Sequence, residues 1–342
     1  MTGECRSGGS KVVGRFAPSP TGRMHLGNVF AALVSYLAAK SVSGEWILRI
    51  EDLDSGRCRP EYVRVLEDDL RFLGLEWDRG GSADPLYVQS RRGEFYSEAL
   101  SRLETMGATY PCWCTRASLS AAAGVSSAPH ADDGRTIYPG FCRDNPLAAR
   151  MGAGKPYSVR LRVPDSDIAF TDLHYGKISV NLAGQCGDYV LKRSDGAWAY
   201  QLAVVVDDAL MGVTQVVRGR DLLMSSAQQK HLGSLLGFPT PEYGHFPLLC
   251  AADGRRLCKR DRSLDMGELR KNFSGAEIIG RLAYISGITD SPEPCLPPEL
   301  VREFSWNRLP ERDIYLGNAV GVASALELFV KPDFHAGKSL FF

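Results

Sequence analysis

Three groups of residues in this chain have types and spacings that could do chemistry. The first runs Arg15-Phe16-Ala17-Pro18-Ser19-Pro20-Thr21-Gly22 and reaches Met24-His25-Leu26-Gly27-Asn28, where an apolar periodic segment begins. Backbone N–H groups at a helix N-terminus, with the dipole behind them, attract phosphate. His25 placed there can donate to phosphate oxygens, and Gly27 leaves room for a nucleotide to approach the backbone. Taken alone, His-x-Gly-x is equally compatible with a core helix that happens to start near a histidine. The second group is Cys112-Trp113-Cys114, followed by Tyr138-Pro139-Gly140-Phe141-Cys142. Two thiolates flanking one residue and a third further along suit a structural tetrahedral zinc site. C-x-C by itself is weak, since buried free cysteines are frequent. The fourth ligand stays open between Tyr138 and His130, the histidine being the more usual choice. Cys5, Cys58, Cys186, Cys250 and Cys295 have no such grouping. The third group is the basic turn Arg256-Leu257-Cys258-Lys259-Arg260 after Asp253-Gly254. Without other motifs it reads as a solvated loop.

The elements that must hold these groups follow from apolar periodicity. Residues 12–17 read as a short buried strand closed by the Pro18 to Gly22 turn, and Val29, Leu33 and Leu37 recur at helical spacing over Leu26 to Lys40. Residues 46–50 form a second strand, 60–74 an amphipathic helix and 91–106 a further helix. Strand and helix alternating at this rhythm predict a parallel α/β sheet. Residues 117–135 look like a loop. Short alternating segments, Tyr157 to Val163 and Lys177 to Leu182, suggest a small β-rich insertion. The α/β rhythm resumes at Tyr200–Val206, then Thr214–Val217, then a helix over 221–236. The last stretch reads as short helices broken by the proline-rich Ser291 to Pro298.

The chain has 342 residues, 44% hydrophobic and 23% charged, enough apolar material for a large core. Forty Lys and Arg balance forty Asp and Glu, so a polyanionic partner must meet a local basic face. The N-terminus has no apolar signal segment, and the apolar run Val29 to Val42 is too short to span a bilayer. Nine cysteines, an odd number, do not look like a disulfide framework. These features predict a cytoplasmic protein with reduced thiols and no membrane association.

R-F-A-P-S-P-T-G followed by H-L-G-N resembles the signature of glutamyl-tRNA synthetases, a class I family. The likeness continues through R-I-E-D-L-D (49–54), Y-Q-L-A-V-V-V-D-D (200–208), V-V-R-G-R-D (216–221) and, more weakly, R-L-C-K-R (256–260). The resemblance implies a Rossmann-type parallel sheet split by a zinc-containing insertion, with a small helical C-terminal appendage. The expected division is a disordered tail (1–10), a first catalytic half (11–106), an insertion (107–195), a second catalytic half with the lysine loop (196–262) and the helical appendage (263–342). It implies ATP contacts from Pro18, His25, Gly27, Asn28 and Arg256 to Arg260, with Mg2+ accompanying ATP. Cations placed at a transferring phosphate are the main catalytic device there. Lys259 matches the second lysine of the family's mobile loop and joins His25 as a catalytic candidate. Arg256 stands for the first lysine and Cys258 for the serine. It also implies Tyr138 as the fourth zinc ligand.

A site for L-glutamate must satisfy two carboxylates and one ammonium in a partly dry pocket. Arginine suits carboxylates because its planar fork binds bidentately. Arg15 and Arg218 are the candidates, Glu51 meets the ammonium, and Tyr200 supplies a hydroxyl and an aromatic wall. The resemblance implies the same set with Ser19 added. Val204 departs from the family, which usually carries Asn there. Only about 80 residues follow Arg262, too few for a separate anticodon-reading domain. The likeness is therefore closest to the truncated paralogues, the glutamyl-Q tRNA(Asp) synthetases. These attach activated glutamate to queuosine at the wobble position of tRNA(Asp), so the anticodon stem-loop would enter the active site of a monomer. The alternatives are a compact glutamyl-tRNA synthetase charging the 3′ acceptor end and a non-catalytic tRNA- or nucleotide-binding paralogue.

Overall fold

A computed structural model describes residues 11–115, 117–119, 137–251, 253–255, 257, 264–317, 319–320, 323–324 and 327–329. The expected tail 1–10, His130, Arg256, Cys258, Lys259 and Arg260 lie outside the described residues. In chain order, the N-terminal half comprises β1 (Val13–Phe16), α1 (Leu26–Lys40), β2 (Glu45–Leu48), α2 (Pro60–Phe72), β3 (Arg79–Gly80) and α3 (Gly93–Thr105). There follow β4 (Thr109–Cys112), α4 (Pro146–Gly152), β5 (Ser158–Leu161), β6 (Asp167–Asp172), β7 (Gly176–Asn181), α5 (Leu182–Gln185) and β8 (Val190–Lys192). The remainder is α6 (Tyr200–Leu210), β9 (Gln215–Gly219), α7 (Leu223–Leu236), β10 (Glu242–Phe246), β11 (Leu249–Cys250), α8 (Met266–Asn272), α9 (Gly275–Ile285), α10 (Pro297–Leu300) and β12 (Ile314–Tyr315).

Strands β1, β2 and β3 pair in parallel, as do β9 with β10 and β10 with β6. The two blocks meet between β1 and β9. The Thr214 N–H donates to the Val13 carbonyl at 3.0 Å, and the Val13 N–H donates to Thr214 Oγ1 at 2.9 Å. From β1 the chain builds outward to β2 and β3, and the later strands build the other way. That reversal is where an open α/β sheet leaves a crevice at its strand ends. The parallel α/β sheet expected from the alternation is present. The alternating segment 177–182 has a different place from a self-contained insertion: β7 pairs antiparallel with β6, and together they extend the main sheet beyond β10. The separate antiparallel sheet consists of β4, β5 and β8.

Helix α1 lies against both β1 and β9 and is buried on most of its circumference, from Leu26 through Phe30, Leu33 and Leu37. Its approach is close: a Cβ on Gly14 of β1 would sit 2.9 Å from the Ala39 Cβ. The same apolar cluster takes in Leu66 and Leu70 of α2, Met266 and Leu269 of α8, and Ile278, Ile279 and Leu282 of α9. A second cluster, under α3, α6 and α7, fills the other side of the sheet. The run Tyr200–Val206 is the first part of a helix, α6.

Candidate active site

The Pro18–Gly22 turn is held against the end of β2. Glu51 N–H donates to the Pro18 carbonyl at 3.0 Å, and Thr21 N–H to that of Ser19 at 2.8 Å. His25 then caps α1: its Nδ1 accepts from the Gly27 N–H at 3.1 Å, while Asn28 Oδ1 accepts from the His25 N–H at 3.2 Å. This reciprocal box fixes the ring. With Nδ1 used as an acceptor, the proton of the neutral imidazole sits on Nε2. Gly27 leaves room for the ring, since a Cβ there would lie 3.0 Å from His25 Cε1 and push it by a few tenths of an ångström. His25 also bridges Asp265, and the Met266 N–H donates to the Met24 carbonyl at 2.8 Å. Upstream, the Leu257 N–H donates to the Leu249 carbonyl at 3.2 Å. Leu257 is thus tied to β11, and Asp265 stands beside His25.

A cleft of about 720 Å³ opens below this turn and is lined by Ser19, Thr21, Glu51, Trp113, Arg160, Arg193, Trp198 and Tyr200. Behind it lie charges that sequence reasoning did not assign. Arg49 is fully buried and donates to Asp208 at 2.6 Å and to Glu51 at 3.2 Å. Asp207 accepts from Arg92 at 2.5 Å, Gln89 at 2.8 Å and Tyr96 at 2.9 Å. Arg15 is also buried, with Nε 3.4 Å from Asp208 and Nη1 donating to the Val217 carbonyl at 3.3 Å. Burial pushes the Arg15 pKa down, and the neighbouring Arg49 and Arg218 add to this against the pull of Asp208. Burial likewise raises the Glu51 pKa, although Arg49 and Arg15 oppose it.

Arg218 differs from the other two arginines. Buried in β9, it donates from Nε to His245 Nε2 at 3.2 Å, from Nη2 to Ser226 Oγ at 2.7 Å and from Nη1 to the Tyr200 hydroxyl at 3.3 Å. Among the described residues no carboxylate lies within ion-pair distance of it. A desolvated guanidinium surrounded by an imidazole and two hydroxyls has the valence of a carboxylate still to fill. Arg15, Glu51, Tyr200 and Arg218 therefore converge, with Ser19 exposed on the cleft wall. Val204 is buried in α6. His245, Ser226 and Asp172 were missed by sequence reasoning. Arg49, Asp207 and Asp208 fell inside the quoted motifs without a role, and a charge within the apolar run Trp46-Ile47-Leu48-Arg49-Ile50 was the available signal.

Cys112 and Cys114 also line the cleft. The Cys112, Cys114 and Cys142 sulfurs lie within 4.8 Å of one another, and this cluster could hold a metal ion. The Tyr138 hydroxyl is 3.4 Å from Cys112 Sγ and 3.9 Å from Cys114 Sγ, and accepts from the Cys142 N–H at 2.9 Å. These separations match the ~3.8 Å edges of a tetrahedron built on ~2.3 Å metal–sulfur bonds. Arg160 donates from Nε to Cys112 Sγ at 3.2 Å and lies 3.7 Å over the Tyr138 ring. Burial works against the Cys112 thiolate, but Tyr138 and Arg160 outweigh it and lower that pKa. Cys114 is pushed up to about 12 by burial and its neighbouring cysteines.

The model of the class I tRNA synthetases (E and Q), catalytic domain, matches residues 11–308. The chain is 46% identical over 310 residues to a glutamyl-Q tRNA(Asp) synthetase of Symbiobacterium thermophilum, covering 88% of this chain and 94% of that one. It is 46% identical over 309 residues to a namesake of Nitratidesulfovibrio vulgaris, with the same two coverages. Among solved structures, a glutamate tRNA ligase from Elizabethkingia meningosepticum in complex with its amino acid is similar at a TM-score of 0.75 and 27% identity, covering 93% of this chain and 69% of that one. No helix among the described residues is long and apolar enough to cross a membrane. The chain is an aminoacyl-tRNA synthetase-like ligase and belongs to the class I tRNA synthetases, within the family of the glutamyl-Q tRNA(Asp) synthetases.

Proposed function

We propose that the protein activates L-glutamate with ATP and transfers it to queuosine at the wobble position of tRNA(Asp). The observation that carries the glutamate reading is the buried Arg218 guanidinium, which among the described residues meets only uncharged groups within hydrogen-bond reach. Burying a cation without an acid costs several kcal/mol, and an incoming carboxylate offsets that cost. Arg15 and Arg218 take the carboxylates, Glu51 takes the ammonium, and Ser19 and Tyr200 complete the walls. The α-carboxylate of glutamate attacks the α-phosphate of ATP and pyrophosphate leaves. A hydroxyl of the acceptor nucleoside then attacks the mixed anhydride and AMP leaves. Pro18, His25, Gly27, Asn28 and the segment Arg256 to Arg260 hold ATP, with His25 and Lys259 acting on the phosphates as charge develops. Magnesium bound with ATP would neutralise part of the phosphate charge. Cys112, Cys114, Cys142 and Tyr138 fit a structural zinc ion, which would tie β4 to the Tyr138–Cys142 turn.

The protein acts as a cytoplasmic monomer on the anticodon stem-loop of tRNA(Asp). Residues 11–106 and 196–262 serve as catalytic halves, 107–195 as the metal-bearing insertion and 263–342 as a helical appendage whose described helices pack into the catalytic core. The two glutamyl-Q tRNA(Asp) synthetases named above match this chain over 94% of their own length, which supports the same acceptor here. The test maps labelled glutamate on tRNA with and without queuosine. An isolated anticodon stem-loop carrying queuosine should accept glutamate, and removal of the 3′ CCA end should matter little. If periodate treatment or loss of CCA abolishes charging while the queuosine base is intact, the acceptor is the 3′ terminus. Absence of glutamate-dependent pyrophosphate exchange would instead point to a binding protein.

A further inference from the structure

We propose that His245 and Asp172 are positioning residues for the substrate carboxylate, acting by fixing the orientation of the Arg218 guanidinium. The inference rests on reading Arg218 as a glutamate-binding residue. His245 on β10 is in register with Arg218 on β9, and Asp172 at the end of β6 pairs with Tyr243 two residues before His245. Three neighbouring strands thus bring together one acid, one imidazole and one guanidinium, all buried.

The hydrogen bonds assign each proton. Asp172 Oδ1 accepts from the backbone N–H groups of His174 and Tyr175, each at 3.0 Å, and of His245 at 3.3 Å. Its Oδ2 is 2.6 Å from His245 Nδ1. Burial opposes the carboxylate form, but the His245 bond and the backbone donors outweigh it and lower the Asp172 pKa. The ionised acid therefore accepts a hydrogen bond from His245 Nδ1–H, which leaves Nε2 as a bare acceptor. That nitrogen receives Arg218 Nε–H at 3.2 Å and faces the Ser226 hydroxyl at 3.2 Å. The Ser226 Oγ in turn accepts from Arg218 Nη2 at 2.7 Å. Two of the three guanidinium nitrogens are thereby fixed, and the third points to Tyr200 on the cleft wall. The groups acting on the imidazole are Asp172 from β6, Arg218 from β9, Ser226 from α7 and Arg15 from β1. Burial lowers the His245 pKa, and the Arg218 and Arg15 charges add to this against Asp172, so the ring stays neutral. A wrong tautomer would set N–H against N–H at Arg218 while leaving the shape of the site unchanged.

Asp172→Asn makes that change. The amide oxygen still serves the three backbone donors, while its N–H group now faces Nδ1 and moves the imidazole proton to Nε2. In glutamate-dependent pyrophosphate exchange we expect the KM for glutamate to rise about tenfold or more, with kcat and the KM for ATP within about twofold of the parent. His245→Gln, which offers Arg218 a carbonyl acceptor with no titratable group, should retain a lower glutamate KM than His245→Leu. Imidazole nitrogen NMR should show the proton on Nδ1 in the parent and on Nε2 in Asp172→Asn. Arg218→Lys is the control. If it raises the glutamate KM but Asp172→Asn does not, the positioning role is wrong and Arg218 keeps its assignment. If Arg218→Lys leaves that KM unchanged, the glutamate reading of Arg218 fails instead. A fall in kcat at constant KM in Asp172→Asn also overturns the proposal. Should Asp172→Asn not fold, equal glutamate KM values for His245→Gln and His245→Leu, or a parent proton on Nε2, do so as well.

Discussion

At the scale of single residues, the site is a balance of buried charges, and Glu51 is its most sensitive member. Its raised pKa comes chiefly from burial, with Arg49 and Arg15 holding it back. Below that value the carboxyl is neutral and an ammonium loses its partner. The glutamate KM should therefore climb as pH falls through the raised Glu51 pKa, and Glu51→Gln should show a high KM without that climb. An unchanged pH profile in Glu51→Gln would assign the titration elsewhere. The linkage has a definite sign. Because the folded pKa lies above the unfolded one, the stability tied to Glu51 is greatest in acid and declines as pH rises through the folded value. A second prediction concerns Arg160, whose donor meets Cys112 and whose plane covers Tyr138. Three thiolates and a phenolate around a bound zinc ion would leave a net negative charge for Arg160 to offset. Arg160→Met should weaken zinc binding about 10- to 100-fold in chelator competition. Cys112→Ser should lose zinc from protein purified without added metal, and stoichiometric zinc in the triple Cys112/Cys114/Cys142 serine variant would sink the assignment. Arg15, Glu51, Tyr200 and Arg218 were legible because motif and chemistry agreed on them. Asp172, Ser226 and His245 were not, since they come from three elements far apart in the chain. A lone histidine within Tyr243-Gly244-His245-Phe246 reads as core.

At the scale of elements, caps and close approaches decided what the sequence could disclose. Helix α1 was legible at both ends because His25 begins it with a reciprocal cap and Lys40 precedes the turn to β2. The alternation of residues 177–182 identified a strand but not its neighbour, since a period of two says nothing about pairing. Within Tyr200–Val206 the stretch from Leu202 on is uninterruptedly apolar, so periodicity does not tell helix from strand there. Helix α9 offers the sharpest test of packing. A Cβ on Gly275 would lie 2.0 Å from the Phe72 carbonyl oxygen, so the first turn of α9 abuts the end of α2. Ser274 caps that turn through Glu277. Gly275→Ala must push backbone against backbone, and it should cost ~1–3 kcal/mol, as overpacking does. Chemical denaturation would measure it. A neutral substitution would mean that α9 is held loosely.

At the scale of the molecule, the stretch beyond the lysine-bearing segment is part of the catalytic core's own interior. Ile278, Ile279, Leu282 and Ala283 share one apolar cluster with Phe30, Leu33 and Leu37 of α1. Strand β12 adds to β11, and Asp313 receives a two-point bond from Arg220, at 2.5 and 2.6 Å, while accepting the Leu248 N–H at 2.9 Å. A chain ended after residue 262 would expose the face of α1 and α2 that these helices cover. Each large aliphatic side chain so exposed forfeits ~1.5–3 kcal/mol. Such a truncation should lose its cooperative thermal transition by circular dichroism, and a cooperative, pyrophosphate-exchanging fragment would contradict the shared core.

Cys112, Cys114 and Trp113 line the same cleft as Ser19, Glu51 and Tyr200. Their sulfurs therefore act as a ruler for what enters. In metal-free protein, an alkylating reagent can reach them through the cleft that a substrate would occupy. An amino acid at Glu51 is short against about 720 Å³ of space and should leave alkylation fast. An occupant extending to Trp113 should slow it, so the length of a bound acceptor could be read from thiol modification rates without detecting any product.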